Sequence, residues 1–209
     1  MLLAAALLLS TVEYRYWIAP CDRARETECR AGDAELARWA FEDWERVSQG
    51  ALKFTPVANR EAAEIRVVWV SQREGLYGEA RPIVVNGRQG AELYVRPAMD
   101  GLGADVEAET RRDPLFRDTI VYLTCLHESG HALGLGHTDR FADIMYSFGF
   151  GGDIREYFAR YRRKLSVRED IRKTSGASEL DGERLRRTLQ NDNGPRTNQA
   201  PGRAKTPGK

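Results

Sequence analysis

The three histidines of this 209-residue chain all fall within one run of eleven residues, His127-Glu128-Ser129-Gly130-His131-Ala132-Leu133-Gly134-Leu135-Gly136-His137. This spacing constrains the fold more than any other feature. On an α-helix, residues four apart share a face at about 6 Å of rise, so His127 and His131 can grip one metal ion. Zinc in a catalytic site takes three protein ligands at about 2.0–2.1 Å and keeps a fourth position for water. A continuing helix would carry His137 about 9 Å further along and about 240° around the axis, too far to join them. The helix must therefore end, and Gly134, followed by Gly136, supplies the residue type that ends helices in the left-handed conformation. Glu128 stands about 100° around from His127, beside a metal-bound water, and suits a general base.

A bare H-E-x-x-H arises by chance in many helices. With Gly134 and His137 the run completes H-E-x-x-H-x-x-G-x-x-H, the metzincin signature, and Asp143-Ile144-Met145-Tyr146 then provides a methionine eight residues after His137. On these residues the chain resembles the matrixins, the matrix-metalloproteinase-like branch of the metzincins. The likeness continues upstream through Glu35-Leu36-Ala37-Arg38-Trp39-Ala40-Phe41, Trp44, Val47, Leu52-Lys53-Phe54 and Ala63-Glu64-Ile65-Arg66-Val67. Downstream, Leu165-Ser166 with Glu169-Asp170-Ile171 resembles the start of the family's last helix.

The resemblance implies an α+β, zincin-like domain with a twisted mixed sheet of about five strands, three main helices, and the zinc site between the active-site helix and a Met-turn. It implies a zinc endopeptidase in which His127, His131 and His137 hold the metal, Glu128 acts as base, and Gly134 and Met145 support the site. Strand residues 78–86 are expected to edge the cleft, where an extended peptide could add as a further strand. Two alternatives remain: a non-catalytic zinc-stabilised binding module, and a hydrolase of another amide such as a cell-wall peptide. Glu128 argues against the first, because a structural site normally has four protein ligands and no use for that carboxylate.

Departures from the family are specific. Ser147 stands where the family has a proline and Gly149 where it has a tyrosine, in a segment expected to wall the primed-side pocket, so substrate preference does not carry over. Ser129 replaces an aliphatic residue. No histidine remains for the family's second, structural zinc, which is not expected in its usual form. The Pro-Arg-Cys-Gly of the family's propeptide switch is absent, so latency is expected to be managed otherwise. A basic helix near residues 153–164 is inserted before the last helix.

The remaining chain reads as one domain over residues 12–176. Tyr14–Ala19 suits a strand, and Asp33 suits an N-cap for a helix carrying Leu36, Ala40, Trp44 and Val47. Ile65, Val67 and Trp69 suit a buried strand; residues 78–86 and 91–96 suit two more, with Asn86-Gly87 and Gln89-Gly90 as turn signals. Residues 98–112 read as a solvated connector; Asp100, Asp105, Glu107 and Glu109 could bind calcium, although their spacing matches no EF-hand loop. Asp113-Pro114 opens the histidine helix. Cys21 and Cys29 could bridge in an oxidising compartment, and Cys125 reads as a buried thiol.

Residues 1–11 form a signal-like apolar segment, too short to span a membrane and lacking a preceding Lys or Arg, so a secreted or extracytoplasmic location is expected. The net charge of +1 gives no nucleic-acid footprint, and the run Arg160-Tyr161-Arg162-Arg163-Lys164 reads as a solvated helix face. A monomer acting on protein or peptide is expected. Residues 177–209 read as a polar, disordered tail, with a short helix at 178–190 as an open alternative.

Overall fold

A computed structural model describes residues 11–71 and 77–192. Five strands, β1 (Val12–Ile18), β2 (Leu52–Pro56), β3 (Ile65–Trp69), β4 (Gly78–Val85) and β5 (Arg88–Val95), form one sheet in the order β2-β1-β3-β5-β4. All neighbours are parallel except β4 and β5. Among the described residues seven α-helices accompany them: α1 (Ala24–Thr27), α2 (Asp33–Val47), α3 (Ala104–Arg112), α4 (Pro114–Ala132), α5 (Ile154–Arg162), α6 (Asp170–Lys173) and α7 (Glu179–Asp192). The architecture is the expected α+β fold with a five-stranded mixed sheet. None of the helices is long and apolar enough to cross a membrane, among the described residues.

The local chemistry explains the elements that bracket the site. In β3, Ile65, Val67 and Trp69 are buried in alternation, as the period-two pattern requires. Between β4 and β5, Asn86 (φ 50°) and Gly87 (φ 78°) both take positive φ, the conformation a two-residue type I′ hairpin turn demands. Gln89 and Gly90, expected as a second turn, lie inside β5 instead. Gly90 is a glycine because its α-carbon sits against the backbone of Glu64, where any side chain would collide.

Asp113 caps α4 as expected, accepting from the amides of Leu115 and Phe116 ahead of Pro114. Asp33 behaves otherwise. It lies inside α2, not at its cap, and its carboxylate takes both Nη1 and Nη2 of Arg117 on α4, the latter at 2.7 Å. Both side chains are about fully buried, at 1% and 2% exposure. Residues 98–112 are likewise not a plain connector. They contain α3, whose buried Val106 and Thr110 sit one turn apart and pack the helix inward.

Three of the acidic residues of that segment pair with arginines. Asp100 pairs with Arg96, Glu107 with Arg111 and Glu109 with Arg155, and with Asp105 they form no metal-holding grouping among the described residues. The basic stretch falls on α5, where Arg162 reaches Asp113, Arg163 reaches Glu156 and Arg160 lies over the rings of Phe141 and Tyr157. Cys21 and Cys29 are joined by a disulfide.

The C-terminal region differs most from expectation. The segment resembling the start of the last helix makes only the single turn α6, where the Asp170 carboxylate accepts from Ser166 and Val167 amides. The chain then crosses α4 at Gly176, where a side chain would run into Leu123 and Leu126, and its amide donates to Asp43. The long helix is α7, with Leu185 and Leu189 buried at 0% and 1% exposure. The tail read from residue 177 is thus helical as far as Asp192, in line with the open alternative. Residues 1–10, most of the segment read as signal-like, and residues 193–209 lie outside the described residues.

Candidate metal centre

Helix α4 brings His127 and His131 to one face, and Gly134, at φ 86°, turns the chain where the helix ends. The amide of Leu135 returns to the carbonyl of Gly130 at 3.0 Å, closing the end in the manner of a left-handed cap. His137 swings back, with its Nε2 3.3 Å from Nε2 of His127 and 3.1 Å from Nε2 of His131. Tetrahedral ligands at about 2.0–2.1 Å from one ion stand about 3.3 Å apart, so these separations fit zinc. The three ligand atoms lie within 4.8 Å of one another and are the only such grouping among the described residues.

The rings are oriented from behind. Nδ1 of His127 donates to the carbonyl of Ile144 at 2.6 Å, and Nδ1 of His131 to that of Leu135 at 2.8 Å. Each bond places the ring proton on Nδ1 and leaves the Nε2 lone pair for a metal. Burial lowers the His127 pKa to about 4 and lowers that of His131 as well, so both rings are neutral near neutral pH. The donor set and its geometry therefore fit a zinc ion.

Met145 is fully buried beneath the histidine helix. Its carbonyl accepts from the Thr138 amide at 2.8 Å, tying the chain just past His137 to the Met-turn. Its sulfur lies against Gly130, and the Trp44 ring is on the same side, so a Cβ at Gly130 would meet both. Gly130→Ala is expected to cost about 1–3 kcal/mol through overpacking, read as a lower urea midpoint. Ser129, the family departure, donates to the carbonyls of Cys125 and Leu126 and accepts from Nε1 of Trp44 at 2.9 Å. The buried indole N–H is shared between this hydroxyl and the Leu126 carbonyl, 3.0 Å away. Cys125 is buried, and burial pushes its thiol well up, as befits a structural residue.

Glu128 points between the histidines and the edge of the sheet. It is 6% exposed and accepts no hydrogen bond from protein among the described residues. Gly78, the first residue of edge strand β4, lies so near that any side chain there would strike the Glu128 carboxylate. Burial, assisted by the Glu79 carboxylate, pushes Glu128 up to about 8. In the metal-free protein the folded state thus holds this proton more tightly than the unfolded state. The resulting stabilisation is complete below about pH 4.5 and is lost as pH rises through about 8. Urea midpoints of the metal-free protein are expected to fall across that window relative to those of metal-free Glu128→Gln.

Beside Glu128 opens a cavity of about 200 Å³, walled mainly by apolar groups that include Leu102, Leu123, Phe148, Ile154 and Phe158. Sequence reasoning anticipated Phe148 but missed Leu102, which precedes α3, and Ile154 and Phe158 of α5. The aromatic wall is continuous, with Phe148 edge-on to both Tyr146 and Tyr157. Asp181 was also missed. From α7 it accepts the Ile144 amide at 2.8 Å, and its reciprocal bonds with Ser178 form a capping pair that Ser178-x-x-Asp181 announces.

Over 122 residues the chain is 30% identical to a macrophage metalloelastase of Oryctolagus cuniculus, covering 56% of this chain and 25% of that protein. Over 119 residues it is 29% identical to an interstitial collagenase of the same species, covering 56% of this chain and 24% of the relative. The chain thus spans about a quarter of the length of these curated relatives. A family model described as Matrixin matches residues 14–151, which hold β2 to β5, most of β1, the three histidines and the Met-turn, and the chain belongs to the matrixin family of zinc metalloendopeptidases.

Proposed function

We propose that this chain is an endopeptidase that hydrolyses internal peptide bonds at the His127, His131 and His137 centre, with Glu128 as the general base. The observation that carries the reading is the placement of one buried carboxylate between three converging imidazoles and the open edge of a sheet. When bound, zinc would polarise the scissile carbonyl and bring the pKa of its water toward neutrality. Glu128 then takes the proton of the attacking water and delivers it to the departing amine. Its low exposure, with no protein hydrogen-bond donor among the described residues, keeps it basic enough for the first transfer and acidic enough, once protonated, for the second.

Among the described residues β4 has only β5 as a partner in the sheet, so its other edge is available to an extended substrate as an added antiparallel strand. This places a scissile bond beside Glu128, because β4 starts at Gly78. The apolar cavity takes the side chain that follows. The Cys21–Cys29 bridge supports export to an oxidising compartment.

The test is incubation of the zinc-loaded protein with a mixture of unstructured peptides, products being sequenced. Internal cleavage with an apolar residue just after the broken bond is expected. Stoichiometric zinc with no cleavage would turn the reading to a binding module, and cleavage confined to cell-wall peptides would turn it to another amide hydrolase.

A further inference from the structure

The family match ends at residue 151, yet the metal centre rests on α7, some thirty residues beyond it. The bend that carries His137 runs from Gly134 to Thr138. It is tied at its start by the Leu135 amide to Gly130 and at its end by the Thr138 amide to Met145. Between those ties stands Gly136. It offers no side chain, and no atom would lie within 4 Å of a Cβ there, so packing does not hold it. Its carbonyl accepts a hydrogen bond from Nη2 of Arg184 at 2.8 Å.

Arg184 is in turn committed to that position. Its Nη1 is buried with no hydrogen-bond partner among the described residues, so the guanidinium is held against the protein instead of ranging in solvent. α7 itself is fixed by Leu185 and Leu189, and the Thr188 methyl reaches the neighbourhood of Gly134. One helix therefore underlies both supports of the site. Through Asp181 it holds Ile144, whose carbonyl orients His127, and through Arg184 it holds the bend whose Leu135 carbonyl orients His131 and whose end carries His137.

We infer that Arg184 is a positioning residue for the metal centre, tying the third-histidine bend to α7 so that His137 meets the other two imidazoles at ligand distance. The inference rests on the reading that the three histidines hold zinc. Partners that orient metal ligands typically alter affinity by about 10–100-fold when removed. A residue that merely stabilised the fold would lower the melting temperature without changing the affinity of the folded protein.

The experiment measures zinc affinity by competition with a chromophoric chelator, and zinc release after excess chelator, for the wild type and three variants. Arg184→Met keeps the aliphatic stem and removes the donors; Arg184→Lys keeps one donor; Arg187→Ala removes a charge from an exposed position on the same helix. Arg184→Met is expected to weaken zinc by about tenfold or more and to speed its release, Arg184→Lys to do so less, and Arg187→Ala not at all. Wild-type affinity and release in both Arg184 variants would overturn the inference, and if Arg184→Met does not fold, unchanged values in Arg184→Lys alone overturn it. A folded wild type that binds no zinc would instead remove the underlying reading.

Discussion

Glu128→Gln is expected to lower the rate of peptide hydrolysis by about 10²–10⁴-fold, the range a positioned general base contributes, while one zinc ion stays bound per chain. The substitution conserves shape in a tight place, because the carboxylate fits between the histidines and the Gly78 backbone with no room to spare. It removes proton transfer and leaves His127, His131 and His137, which do not rely on Glu128 for orientation; their Nδ1 atoms are held by Ile144 and Leu135 in the two cases the structure resolves. Steady-state rates beside metal analysis of the same preparation check it. A variant within about tenfold of wild type would mean that another group moves the proton.

Asp33→Ala is expected to cost about 3–5 kcal/mol of stability, because it strands the Arg117 guanidinium without its partner in the interior. The pair joins the first turn of α2 to the first turn of α4, the helix that carries His127 and His131. Burial works against the Arg117 charge, and the hydrogen bonds and charge of Asp33 hold it on, raising its pKa. The double variant Asp33→Ala, Arg117→Met is expected to recover much of the loss, since no unpaired charge remains. Urea unfolding of the single and double variants checks both statements. Equal losses in the two would show that packing, and not the stranded charge, dominates.

The convergence of the three histidines was legible because its information is local. Spacing along one helix places His127, His131 and Glu128, and a glycine at Gly134 announces the bend, so eleven residues carry most of the geometry. Asp113-Pro114 and Asn86-Gly87 were legible for the same reason: each cap or turn is satisfied by amides or dihedrals within a few residues.

What sequence reasoning misjudged depends on partners far along the chain. Asp33 has the residue type and position of an N-cap, but a buried arginine 84 residues away claims its carboxylate. Gly90 looks like a turn residue and is instead where β5 passes against the Glu64 backbone. α3 was hidden by its acidic residues, whose arginine partners include Arg155 on a different helix. α7 was read only as an open alternative because its apolar stripe is narrow, and Asp181 and Arg184 are polar because they bond backbone groups of the site. The Ser178-x-x-Asp181 pair was the local signal that could have revealed it.

In the proposed function, one zinc ion held by three histidines beside Glu128 makes this chain a peptidase. Its most direct test is a titration: strip the metal, add zinc in steps, and follow bound zinc and cleavage of an unstructured peptide together. Activity rising in proportion to zinc and levelling at one ion per chain is the predicted result. A chain that fills with one zinc and cleaves nothing, or that cleaves equally well stripped of metal, would contradict it.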